Sequence, residues 1–119
     1  MMWLSVVVFV ITGLVAWSWF RPNQLLSAEL QDALRSGAQV IDVRTPAEFS
    51  VGAAPGAVNI PVDQLTRRLH ELDRGRPVVV YCASGWRSAH AARQLKQAGF
   101  ERVVDAGSAD MLSVSADDT

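Results

Sequence analysis

The sequence predicts a three-layer α/β domain with a central parallel sheet, preceded by one membrane-crossing helix. Three observations lead there. Val78-Val79-Val80-Tyr81, and Val40-Ile41-Asp42-Val43 but for its aspartate, are apolar at consecutive rather than alternate positions, as strands buried on both faces require. Helical patterns separate the strand-like runs, the arrangement that produces parallel sheets covered by helices. No charged residue occurs from Trp3 to Phe20.

The chain has 119 residues, a formal net charge of −1 and 50% hydrophobic residues. A single domain is the most that this length holds. No basic excess points to nucleic acid, and no repeat or low-complexity block is present. A single cysteine, Cys82, excludes an internal disulfide, so any sulfur or redox exchange has to involve a second molecule.

Residues 3–20, taken as a helix, extend about 27 Å, close to the roughly 30 Å of the hydrocarbon layer. Trp3 stands at one end and Trp17 and Trp19 at the other, where interfacial belts lie. Arg21-Pro22 closes the stretch with a charge and a helix breaker. A retained anchor is the expectation. The alternative is a cleaved signal, for which Ala16-Trp17-Ser18 offers a small-x-small pattern but Met1-Met2 no positive side chain. Arg21 and Arg35 follow the span and no Lys or Arg precedes it. That distribution orients a single-pass protein with its domain in the cytoplasm; cleavage would instead give a periplasmic or secreted protein. The organisation is thus an anchor or uncleaved signal at 3–20, a linker at 21–27, the domain at 28–112 and a polar, acidic tail at 113–119 that frays.

Within the domain, Ser27 is placed to cap a helix over 28–36, with Leu30, Ala33 and Leu34 inward and Gly37 as its stop. The strand 40–43 follows and holds Asp42 among apolar neighbours, where it needs partners or costs several kcal/mol. Arg44 is expected to pair with Glu48 across a turn capped by Thr45. Pro55-Gly56 make a turn before a short strand carrying Val58 and Ile60. Residues 62–72 read as an amphipathic helix with Leu65, Leu69 and Leu72 inward and Arg67, Arg68 and Glu71 outward. A last strand falls within 101–107. His70 and His90 read as solvated surface residues, and neither has metal-ligand spacing with Cys82.

The chemistry gathers at residues 78–89. A buried strand delivers Cys82 into a short loop containing Gly85, and a helix opens at Arg87 or Ser88, with Ala89, Ala92 and Leu95 on one face and Gly99 as its end. Strand, tight loop and helix N-terminus converge backbone N–H groups on one point. A free cysteine has a pKa of about 8.5. N–H groups, the positive end of a helix and the Arg87 guanidinium all favour its thiolate.

Tyr81-Cys82-Ala83-Ser84-Gly85-Trp86-Arg87-Ser88 resembles the active-site loop of single-domain rhodanese sulfurtransferases. Val40-Ile41-Asp42-Val43-Arg44-Thr45-Pro46-Ala47-Glu48-Phe49 is similar to that family's first signature, and Pro55-Gly56-Ala57-Val58-Asn59-Ile60-Pro61 to its second. The three stand in the family's order and cover most of residues 38–107. Four residues separate Cys82 from Arg87, as in the sulfur-transferring members; related phosphatases and arsenate reductases carry five.

The resemblance implies a rhodanese-like fold and a sulfurtransferase that needs no metal or organic cofactor. Cys82 would attack the sulfane sulfur of a small donor such as thiosulfate, and a thiol or cyanide would accept it from the persulfide. The N–H groups of Ala83, Ser84, Gly85, Trp86 and Arg87 would bind the anionic sulfur. Arg87 would orient a sulfonate or bond loop carbonyls, Ser84 would offer a hydroxyl, and Trp86 would shape the rim and present an apolar face to a protein donor. Asp42, Arg44 and Glu48 would support the architecture. The alternatives are a membrane-tethered sulfur carrier or docking module without turnover and, less favoured by loop length, a thiol phosphatase or arsenate reductase. The sequence departs from the family at Ala53-Ala54, where a His-Ile pair is common, so a side-chain hydrogen bond bracing that loop is expected to be missing, while Pro55-Gly56 still make the turn. It departs again at Ala106-Gly107, which replaces Gly-Gly, and lacks the tryptophan that usually follows.

Overall fold

The computed structural model describes residues 28–110. The helix expected at 3–20, the linker at 21–27 with Ser27, and the tail at 113–119 lie outside them. Among the described residues no helix is long and apolar enough to cross a membrane.

Four strands form one parallel sheet: β1 (Gln39–Asp42), β2 (Val58–Asn59), β3 (Val78–Cys82) and β4 (Val103–Ser108), in the spatial order β2-β1-β3-β4. All five residues of β3 are buried. They alternate between faces, as side chains on a pleated strand must. Val78, Val80 and Cys82 pack on one side with Ile41, Ile60, Leu65 and Leu95. Val79 and Tyr81 pack on the other with Leu30, Ala33, Val104 and Ala106. The first face is covered by α3 (Trp86–Gln97), which buries Ser88, Ala91, Ala92 and Leu95. The second is covered by the helix over 28–35 (α1), so the sheet lies between two helical layers.

β1 continues to its neighbour β2 on one side, whereas β3 continues through α3 to β4 on the other. The chain directions diverge between β1 and β3, and in parallel sheets such a switch point leaves a crevice beyond the carboxyl ends of the strands. Asp42 and Cys82 stand at those two ends.

Three local expectations are corrected. The stretch 62–72 is two 3₁₀ turns, Leu65–Arg67 and Leu69–Glu71, broken at Arg68. Leucines three or four residues apart suit either helix type over so short a run, and 3₁₀ turns serve as connectors. Leu65 is still buried, and Leu69 and Leu72 pack against the same core. The turn after Thr45 is a short helix, α2 (Pro46–Val51), closed by a capping box in which Thr45 and Glu48 exchange hydrogen bonds at 3.3 Å. The third helix opens at Trp86, ahead of the expected Arg87 or Ser88, because Gly85 supplies φ 98° as its N-cap.

β4 carries an irregularity. Val80 pairs with Asp105 but Tyr81 with Gly107, so Ala106 is an extra residue. It is buried in the second cluster, and Gly107, at φ 73°, is set beside the loop after β3.

Candidate active site

Cys82 ends β3 with its side chain buried and unpaired by any disulfide. Its Sγ accepts the Gly85 N–H at 2.9 Å and the Ser88 N–H at 3.4 Å. Both donors follow from the geometry. Gly85 turns the chain back over the sulfur through its positive φ, and Ser88 stands in the first turn of α3, where N–H groups have no helical partner. Burial pushes the Cys82 thiol up. Hydrogen bonds from the Ser88 hydroxyl and N–H, and from the Gly85 and Ser84 N–H groups, outweigh it and hold the thiol below its ordinary value.

Ser88 is the site residue that sequence reasoning passed over. It is fully buried, and its hydroxyl also lies 2.9 Å from the Gly85 carbonyl and 3.5 Å from that of Gly107. The signal was its place three residues after the glycine that starts the helix. The N–H set on Sγ is therefore shifted toward the helix from the expected Ala83–Arg87 span. Ala83 and Ser84 are exposed, and Trp86 is 69% exposed beside the loop.

The charged residues pair differently from the expectation. Arg44 does not meet Glu48. Its Nε and Nη2 bind the Asp42 carboxylate at 2.8–3.0 Å, its own N–H adds a bond at 2.9 Å, and Nη2 also donates to the Gly52 carbonyl at 2.6 Å. Glu48 faces Arg87, with Nη1 to Oε1 at 2.7 Å and Nη2 to Oε2 at 3.0 Å. Both Nη groups of Arg87 are thus taken by Glu48, and its Nε is buried without a hydrogen-bond partner. The guanidinium hydrogen bonds, aided by those of Thr45, hold the Glu48 carboxyl down at about 2. The Asp42 hydrogen bond likewise raises the Arg44 pKa, and that of Glu48 raises the Arg87 pKa.

The loop at Ala53-Ala54 is held through its backbone instead of a side chain. The Ala54 N–H donates to the Tyr81 hydroxyl at 2.9 Å, and that hydroxyl donates to Asp42 Oδ2 at 2.7 Å. With Arg44 on Gly52, both strand ends hold the segment after α2. Asp42, fully buried, finds the partners its position demands.

His70 and His90 are exposed. Among the described residues no group of three or more His, Cys, Asp or Glu side chains is arranged to hold a metal ion.

A family model for the rhodanese-like domain matches residues 26–108. A protein of Allochromatium vinosum named sulfurtransferase is 38% identical over 85 residues, which cover 70% of this chain and 79% of that one. The chloroplastic thiosulfate sulfurtransferase 16 of Arabidopsis thaliana is 33% identical, with 71% and 80% covered. Among solved structures, a rhodanese-related protein from Thermoplasma volcanium superposes with a TM-score of 0.59 at 34% identity, covering 70% of this chain and 80% of that one. The family match spans well over half of the chain, and the chain belongs to the family of rhodanese-like domains.

Proposed function

We propose that the chain is a sulfurtransferase that carries sulfane sulfur from a thiosulfate-like donor to a thiophilic acceptor on Cys82. The observation that carries this reading is the buried Sγ held by the Gly85 and Ser88 N–H groups, with its pKa lowered. The names of the relatives support it from outside the chain.

In the first half-reaction the Cys82 thiolate attacks the outer sulfur of thiosulfate. The sulfur–sulfur bond of the donor breaks, sulfite leaves with its electron pair, and the enzyme holds Cys–S–S⁻. In the second, a thiol or cyanide attacks that outer sulfur and the Cys82 thiolate is released, a ping-pong cycle. The first-turn N–H groups of α3 supply further donors for the added sulfur. Tethering to a membrane through residues 3–20, with the domain in the cytoplasm, completes the proposal and rests on the uncharged stretch and the arginines after it.

The test is thiocyanate formation from thiosulfate and cyanide by the full chain beside Cys82→Ser. Activity in the parent and none in the variant is the expected result. Silence from a folded parent that nonetheless accepts a persulfide would favour the carrier reading.

A further inference from the structure

We propose that the carboxyl end of the sheet is a lipid-binding face: Trp86 and Val51 enter the headgroup layer of a bilayer, which holds the Cys82 loop at the membrane surface. The inference rests on the tethering read from residues 3–20 and says which end of the domain the tether turns to the membrane.

α1 fixes where the chain enters the domain. Its last turn lies at the amino end of the sheet. There Arg102, the residue before β4, reaches Asp32 and Ser36, and Arg76 donates to the Gly37 carbonyl at 2.9 Å. α1 therefore runs antiparallel to the strands, and residue 28 points toward their carboxyl ends. A helix over 28–35 rises about 12 Å, and the steps from Val78 to Cys82 cover about 13 Å. The helix thus begins level with Cys82. Residues 21–27 join it to the uncharged stretch, and a linker of that length extends at most about 25 Å. The end of the domain that carries Cys82 is the end tied to the bilayer.

The two ends differ in polarity as that placement needs. At the amino end the connections carry Arg35, Asp73, Arg74, Arg76, Glu101 and Arg102, all exposed. At the carboxyl end, 52–54, 83–86 and 107–109 contain no charged residue. Asp42 and Glu48 are bound there to Arg44 and Arg87, and Asp110 lines the same cleft as Arg44. No cluster of unpaired arginines or lysines calls for anionic headgroups, so a zwitterionic lipid surface suits this end.

Three large apolar side chains are exposed among the described residues: Val51 at 90%, Trp86 at 69% and Val58 at 53%. The first two stand at this end. Trp86 opens α3 beside Arg87, and Val51 closes α2 three residues after Glu48. The Glu48–Arg87 contact of 2.7 Å sets those two helix ends side by side. An indole settles at the boundary between water and hydrocarbon, and Val51 gains by leaving water.

The experiment reconstitutes the full chain in phosphatidylcholine vesicles. Flotation of the parent with the vesicles is read first. A chain that does not float defeats the tethering reading, and this one with it. Trp3→Phe, Trp17→Phe and Trp19→Phe together leave Trp86 as the single indole. In vesicles with brominated acyl chains its emission is expected to fall, and in plain vesicles to lie to the blue of a water-exposed indole. Adding Trp86→Phe and Glu101→Trp moves the indole to the amino end, where brominated lipid should leave its emission unchanged. A floating chain with Trp86 unquenched keeps the tether but overturns the proposal, the result expected of a face turned to a protein partner. Equal quenching at 86 and 101 overturns it as well, because the domain then has no preferred end. Should the single-indole variant fail to insert, the difference in emission between the parent and Trp86→Phe isolates the same indole, and its quenching or lack of it decides.

Discussion

Tyr81 and Asp42 meet through a buried hydrogen bond of 2.7 Å, from the tyrosine hydroxyl to Oδ2. The same hydroxyl accepts the Ala54 N–H, so one oxygen joins β3, β1 and the segment after α2. Tyr81 neighbours Cys82 in the chain yet projects to the opposite face of the sheet. Tyr81→Phe keeps the ring and orphans both partners. A loss of about 1–3 kcal/mol is expected, read from denaturant unfolding.

Asp42→Ala should cost more. It strands the Arg44 guanidinium, whose side chain is only 14% exposed, and breaking a buried pair from one side costs about 3–5 kcal/mol. A double variant that also replaces Arg44 by Met should lose less than the sum of the two single changes, which a double-mutant cycle measures.

The Glu48–Arg87 pair makes a pH prediction. The Glu48 carboxyl is lowered from 4.5 to about 2 in the folded chain, first by the Arg87 hydrogen bond. The unfolded state therefore binds the proton more readily, and the pair's contribution is fully present above pH 4.5 and lost as pH falls from 4.5 through 2. In acid titrations of unfolding, the stability gap between the parent and Glu48→Gln should close within that window.

Alkylation of Cys82 should rise with pH through a midpoint below that of free cysteine, since the folded thiol is lowered. Ser88→Ala removes a hydroxyl that favours the thiolate, so its profile should shift upward. An iodoacetamide rate profile over pH distinguishes the two.

Gly85 is needed for its backbone conformation. A Cβ there would lie 3.8 Å from Gly107 Cα, an ordinary contact, but φ is 98°. Gly85→Ala should cost about 1–2 kcal/mol and misdirect the N–H on Sγ. Thermal melts and Cys82 loading rates would show both effects.

Much of the domain was legible in the residues because its signals are local. Valine runs read as buried strands, Gly37 and Gly99 as helix stops at positive φ, and Tyr81 through Ser88 as a cysteine loop feeding a helix. The stretch 62–72 misled because leucine spacing does not separate 3₁₀ from α over a few residues. Ser88 was missed because its importance lies in an N–H that has no partner within the helix and turns to Sγ instead, and that depends on where the helix starts.

The sequence by itself determined the sheet, the place of the single cysteine and the positive-φ glycine that curls the chain over it. Each follows from steric preference or burial within a few neighbouring residues. Only the tertiary structure decided which charges meet. Arg44 and Glu48 sit four residues apart, so proximity in sequence favours pairing them, while Glu48 and Arg87 are 39 apart. Arg44 turns back onto Asp42, two residues away, and the fold brings Glu48 of α2 to Arg87 of α3. Coulomb attraction falls with distance in space, and the fold alone sets that distance.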